Sequence, residues 1–215
     1  SSYQSLFLKA YYPLEFYTAV INNFGGFYKT EFYLHAARMC GAEVQAPCVQ
    51  ESVALTKITG TTLWLGLGLV QSLEIKLIDR IIKARIKQNF EDLYDFKLRC
   101  DPGIEQLKIL ILIGAFRFTG KSRKALLWEA HTLYGDTKKS TTDIPLFTEK
   151  PKAVSLPPLE DDPIEIAIDE RELLGFTLCS PFDLIEPDDI PTSKVRSKHL
   201  ASLLGKSVYL EGQLV

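Results

Sequence analysis

The stretch GAFRFTGKS, Gly114–Ser122, decides how the middle of this chain is read. Its last three residues match the end of a nucleotide-binding P-loop, which takes Gly, four residues, then Gly-Lys-Ser/Thr between a strand and a helix. Here five residues, Ala115–Thr119, separate Gly114 from Gly120, so the spacing fails. The context fails as well. The preceding run IEQLKILILIGAF is apolar on nearly every face and predicts a buried helix after the Asp101-Pro102-Gly103 turn. SRKALLWEAHTLY predicts the next helix, with Ser122 as its N-cap and Leu126, Leu127, Ala130 and Leu133 facing inward. A helix, a short glycine-bearing hairpin and a helix N-terminus carrying Lys121, Arg123 and Lys124 form a different device. Backbone N–H groups there donate to a phosphate oxygen, and the cations add attraction, so the device holds a nucleic-acid backbone without reading its bases.

Upstream, Pro13 suits the first turn of a helix through Phe16, Tyr17, Val20 and Ile21, ended by Asn-Asn and Gly-Gly. A second helix is expected from Thr30, burying Phe32, Ala36 and Met39 and stopping at Gly41. EVQAPCV reads as an extended segment, and ALTKITGTTLWLGL as two short strands around Gly60. From Ser72 a helix is expected with Leu77, Ile78, Ile81 and Ile82 on one side and Lys76, Arg80, Lys83 and Lys87 on the other. Beyond Asp136, DTKKSTTDIPLFTEKPKAVSLPPLEDDP has the Pro, Ser, Thr and charge content of a linker. A helix is expected at DERELLG, with Asp169 near its cap and Gly175 at its end, and KSVYLEGQLV alternates like a strand. The fold class is therefore mainly α with short β segments.

The bulk numbers limit the function classes. The 215 residues are 46% hydrophobic and 11% aromatic, enough for a sizeable core. No apolar run reaches the length of a membrane span, and SSYQSLFLKAYYP lacks the basic start and cleavage site of a signal peptide. Opening without Met in an apolar-periodic pattern points to a section of a longer polypeptide. Cys40, Cys48, Cys100 and Cys179 form no C-x-x-C pair and read as reduced thiols of a cytoplasmic protein, and His35, His131 and His199 are too dispersed for a metal site. Residues 75–139 carry 14 Lys/Arg against 8 Asp/Glu, a net of +6, while residues 140–215 carry 7 against 14, a net of −7. A basic middle beside an acidic end points to a local anion-binding surface, the alternative being a solvated charged surface.

SYQSLFLKAYYPLEFYTAVINN, GLGLVQSLEIKLIDRII, LKILILIGAFRFTGKSRKALL and DERELLGFTLCSPFDLI, in this order, resemble a stretch of the C-family replicative DNA polymerases of bacteria. KSVYLEGQLV falls where that family begins its oligonucleotide-binding (OB) β-barrel, so the resemblance covers essentially the whole chain. It implies the end of the fingers region over residues 1–60 and a tandem helix-hairpin-helix domain over 61–135. A linker over 136–168, a connecting helix and loop over 169–204 and a truncated OB strand over 205–215 would follow. The family's catalytic aspartates, which hold two metal ions, lie in a palm domain upstream. The resemblance thus implies no catalytic residue and no cofactor in this section, magnesium serving the parent polymerase.

The resemblance also implies that two hairpins grip the phosphates of duplex DNA. The first falls at Gln71-Ser72-Leu73-Glu74, after Gly66 and Gly68. Ser72 and Glu74 stand where the family commonly has glycine, and a carboxylate repels phosphate, so a structural role stands beside DNA contact. The second, Gly114 through Arg123, keeps Gly120 and Ser122. Arg117, Lys121, Arg123 and Lys124 are its cations, the alternative being a solubilising surface. Asp143-Ile144-Pro145-Leu146-Phe147 lies where the family carries a sliding-clamp-binding peptide. Leu146 and Phe147 match its apolar anchors and Asp143 replaces its Gln; the other reading is that the two residues pin the linker down. The partners implied are duplex DNA, the sliding clamp and other polymerase domains, with no membrane. The same region of the error-prone paralogue, or an interaction module without DNA binding of its own, are the alternatives.

Overall fold

The computed structural model describes residues 2–23, 26–135, 159–184, 195 and 197–208, which divide into two units, Ser1–Leu178 and Cys179–Val215. The first unit opens with α1 (Ser2–Tyr11) and α2 (Pro13–Asn22), Pro13 occupying a first-turn position where its missing N–H costs no helical bond. In α3 (Thr30–Met39) the buried face differs from the expected one. Leu34 and Ala37 enter the core, Ala36 is half-buried, and Phe32 and Met39 are 39% and 76% exposed. Phe32 instead stacks on Tyr28, ring centroids 4.5 Å apart, which leaves the i, i+3 pair of Leu34 and Ala37 to face inward.

Three short strands follow. β2 (Lys57–Thr59) and β3 (Thr62–Trp64) form the expected hairpin around Gly60, and β1 (Glu43–Gln45) adds to β3 in parallel, giving the order β1-β3-β2. In α4 (Ile75–Lys87) the expected stripe is buried through Leu77, Ile78 and Ile81, with Ile82 packed at its edge. α5 (Leu93–Cys100) is additional to the elements expected. Asp92 caps it by accepting from the Asp95 N–H at 2.8 Å, and it buries Leu93, Phe96 and Cys100.

α6 (Ile104–Leu112) and α7 (Arg123–Gly135) pack around the same core. The Phe96 ring meets Phe90 at 5.0 Å and Phe116 at 4.9 Å, both edge to face, and Phe96 and Phe116 are fully buried. Each such ring contributes about 1.5–3 kcal/mol by leaving water, so Phe116 roots the turn between α6 and α7 in the core. Burial pushes the Cys100 thiol up to about 11, which keeps it protonated and inert near neutral pH. Cys40, Cys48 and Cys100 are free thiols.

The last helix of this unit starts earlier than expected. α8 runs Pro163–Leu174, its first turn capped by Asp162, which accepts from the Ile164 N–H at 2.9 Å. Asp169 is mid-helix, not near the cap, because the Asp-Pro pair upstream supplies both a capping oxygen and a pre-set φ. Gly175, at φ +87°, ends the helix as expected. Ala167, Glu170, Leu174 and Phe176 are buried, and α8 packs along α6.

In the second unit the described residues hold short 3-10 turns at Pro181–Leu184 and Ser197–Leu203. Of the expected strand, Lys206–Val208 has no regular structure and residues 209–215 lie outside the described residues. No described helix is long and apolar enough to cross a membrane.

Candidate nucleic-acid interface

The first hairpin lies between a one-turn 3-10 helix, Leu67–Leu69, and the start of α4. Gly66 and Gly68 come together where the chain passes against residues 54–56. A Cβ on Gly66 would lie 2.5 Å from the Ala54 oxygen and the Leu55 carbon, and one on Gly68 would lie 2.8 Å from the same oxygen. Their amides are committed: Gly66 N–H donates to Thr56 Oγ1 at 3.2 Å and Gly68 N–H to the Ala54 carbonyl at 2.9 Å. Ser72 takes φ +61°, the left-handed conformation that costs a side-chain-bearing residue about 1–2 kcal/mol. Gln106 of α6 holds this turn from both sides, donating to the Ser72 carbonyl at 2.9 Å and accepting from the Glu74 N–H at 2.8 Å. Gln71 N–H donates to the Leu173 carbonyl at 2.8 Å, tying the turn to the end of α8.

The second hairpin leaves α6 through Gly114 at φ +74°, where the Ala115 N–H bonds back to the Leu110 carbonyl at 2.9 Å and closes the helix end. Gly114 also makes room, since a Cβ there would stand 3.2 Å from the Arg123 guanidinium. A 3-10 turn, Arg117–Thr119, leads to Gly120 at φ +68°, and Ser122 Oγ accepts from the Ala125 N–H at 3.2 Å, the expected cap of α7.

The four cations of this hairpin differ in what they hold. Arg117 donates to the carbonyls of Ala46 at 2.7 Å and of Pro47 and Gly114 at 3.1 Å, and its guanidinium lies 5.8 Å from the Trp64 ring centre. Burial lowers its pKa below the ordinary arginine value, without discharging it near neutral pH. It staples the hairpin to the end of β1. Arg123, with its side chain 15% exposed, lies 3.7 Å from both Asp169 and Glu170. Burial pushes both of those carboxyls above their ordinary values; Arg123 opposes the shift at each, and at Glu170 the bond from the Leu178 N–H opposes it more strongly. Lys121 and Lys124 are surface groups, 46% and 42% exposed, paired with Glu129 at 2.6 Å and Glu165 at 2.8 Å. Exposed pairs of this kind contribute little to stability and exchange partners easily.

At the start of α7 the Arg123 N–H donates to Asp161 Oδ2 at 2.8 Å and the Lys124 N–H to Asp161 Oδ1 at 3.3 Å. The two oxygens of one carboxylate thus take successive amides at a positive helix end, the geometry in which such an end holds an anion. A cleft lined by Arg123, Lys124, Asp161, Glu165 and Asp169 runs beside it. Sequence reasoning missed Asp161, Glu165 and Gln106. The first two fall in the acidic stretch read as linker; the Asp162-Pro163 start signal would have placed Glu165 on a helix. Gln106 has no local signal, since its role depends on α6 lying against the first turn. The Asp143–Phe147 peptide lies outside the described residues. Among the described residues no cluster of three or more His, Cys, Asp or Glu side chains is arranged to hold a metal.

Residues 41–126 match the helix-hairpin-helix motif family. DNA polymerase III subunit alpha of Staphylococcus aureus (strain MRSA252) is 30% identical over 131 residues, 59% of this chain and 12% of that protein. The subunit of the same name from Staphylococcus epidermidis (strain ATCC 12228 / FDA PCI 1200) is 28% identical over 182 residues, 81% of this chain and 17% of that protein. The chain thus spans less than a fifth of the length of these relatives. It carries a helix-hairpin-helix region and resembles, over as much as 81% of its length, a section of DNA polymerase III subunit alpha.

Proposed function

We propose that this chain is a non-catalytic, duplex-DNA-binding section of a replicative polymerase α subunit, and that the second hairpin grips the phosphates. One observation carries the reading: the first two amides of α7, framed by Lys121 and Lys124, already hold an anionic carboxylate in the manner of a phosphate. The first hairpin has a structural part in this reading, because Gln106 occupies its Glu74 amide. The chain has no nucleotidyl transfer of its own in this reading; polymerisation belongs to the parent polypeptide with its magnesium. The Asp143–Phe147 peptide is proposed to dock on a sliding clamp through Leu146 and Phe147, on the support of its sequence.

The test is fluorescence anisotropy of a labelled primer–template duplex at low and moderate salt, with the chain and a Lys121→Ala/Lys124→Ala variant. Sequence-independent binding is expected, with log affinity falling against log salt by about 0.9 per phosphate contacted, and the variant losing about two of those units. A second reading, a packing module without DNA affinity, is favoured by the ion pairs of Lys121, Arg123 and Lys124 with carboxylates of the chain itself. Salt-insensitive anisotropy, equal for both proteins, would establish that reading and overturn the first.

A further inference from the structure

α8 touches both hairpins, its end at Gln71 and its start at Arg123 and Lys124. The two attachments differ in kind. The end is held by buried apolar groups, Leu174 and Phe176, and by the Gln71–Leu173 bond. The start is held by charge, Asp161 on two amides and Glu165 on Lys124, and mid-helix Asp169 and Glu170 lie beside Arg123. On its outer side Ile164 and Ile168 are 46% and 59% exposed, while Ala167 is buried on the inner side. The carboxylates here meet the same amides and cations that a phosphate would use.

We infer that the segment Asp161–Glu170 is a built-in phosphate mimic that occupies the second hairpin, so that duplex DNA binds by displacing Asp161 and Glu165 from the start of α7. The inference rests on the reading of the second hairpin as the DNA grip. A tethered competitor acts at an effective concentration on the order of millimolar, so it weakens non-specific binding and leaves tight binding to conditions that hold DNA nearby. Displacement does not require α8 to unfold, because Asp161 precedes its cap and Glu165 reaches Lys124 at the surface, while Ala167 and Leu174 stay packed.

The experiment measures duplex affinity and its salt slope for the chain, Asp161→Asn, Glu165→Gln, Glu172→Gln and Lys121→Ala/Lys124→Ala. Glu172 is an exposed carboxylate of the same helix and reports the general effect of removing one negative charge. Asn at position 161 still accepts one amide bond but offers no anion, and thermal melting checks that the fold survives. If Asp161→Asn fails that check, Glu165→Gln carries the test, since it disrupts only an exposed pair. The expected result is about fivefold or more tighter binding for Asp161→Asn and Glu165→Gln than for Glu172→Gln, with the Asp161→Asn slope steeper by about 0.9 as one more phosphate is engaged. Equal affinities for Asp161→Asn, Glu165→Gln and Glu172→Gln, with binding lost in the double lysine variant, would overturn the mimic and leave the DNA grip standing. Binding that neither the acidic nor the lysine variants change would overturn both.

Discussion

The two hairpins share a path, a tight turn into a helix, yet their amides serve different partners. In the first, the Glu74 N–H is held by a neutral amide oxygen of Gln106, and the turn is reached through Ser72 in a left-handed conformation without a glycine. In the second, Gly114 and Gly120 supply the positive φ values, and the Arg123 and Lys124 amides hold a carboxylate. A carboxylate and a phosphate are both anions with paired oxygens, so one can replace the other; phosphate has no such exchange with a glutamine locked on both sides. The same backbone device has thus become a joint in one place and an anion seat in the other. Its side-chain surroundings, not its backbone, decide which.

The sharpest break in this comparison is at Gly66. Gly66→Ala forces a Cβ to within 2.5 Å of backbone that cannot step aside, and a loss of about 3 kcal/mol or more in urea unfolding is expected. A Cβ on Gly120 would meet nothing within 4 Å, so Gly120→Ala should cost only the strain of its positive φ, about 1–2 kcal/mol. Within the second hairpin, Arg117→Ala removes a cation bonded to three carbonyls and should destabilise by about 2 kcal/mol, against less than about 0.5 for Lys121→Ala. Duplex affinity, measured where both variants are folded, should rank them the other way and fall further for Lys121→Ala. Gln106→Ala frees both polar groups of the first turn at an exposed site and should cost about 1 kcal/mol while leaving duplex affinity unchanged. Tighter binding in that variant would show that the first turn also takes phosphate once its amide is released.

The smallest effect is a pH dependence confined to the second hairpin. Burial raises the Glu170 carboxyl above its ordinary 4.5, so the folded state favours the protonated form. That contribution is present below the unfolded value and lost as pH rises through the folded one. The stability of the chain minus that of Glu170→Gln should therefore fall as pH rises from about 4 towards 7, measured by urea midpoints. A difference that rises over this range would mean that the Leu178 N–H and Arg123 outweigh burial.

Several helices of the first unit were legible because their signals are local. Pro13, the Leu77–Ile81 stripe and the Ser122 cap each act within one or two turns of sequence. α5 was legible in principle through Asp92 and the spacing of Leu93, Phe96 and Cys100, but its charged residues masked that stripe. The cationic set at Lys121–Lys124 was also plain, whereas its occupation was not. Asp161 meets the α7 amides across a sequence separation of 37–38 residues, and no pattern within a helix or turn encodes such a meeting. Arg117 shows the same limit: a residue that reads as a surface cation is a staple to Ala46 and Pro47, about 70 positions away.

The difference between the hairpins is tested most directly by following backbone amide resonances of the chain as a short duplex is added at low salt. Saturable shifts are expected at Lys121–Lys124, with Asp161 and Glu165 moving in step, and little change at Gln71–Glu74. Shifts centred on Gln71–Glu74, with the start of α7 undisturbed, would contradict the assignment of the second hairpin as the anion seat.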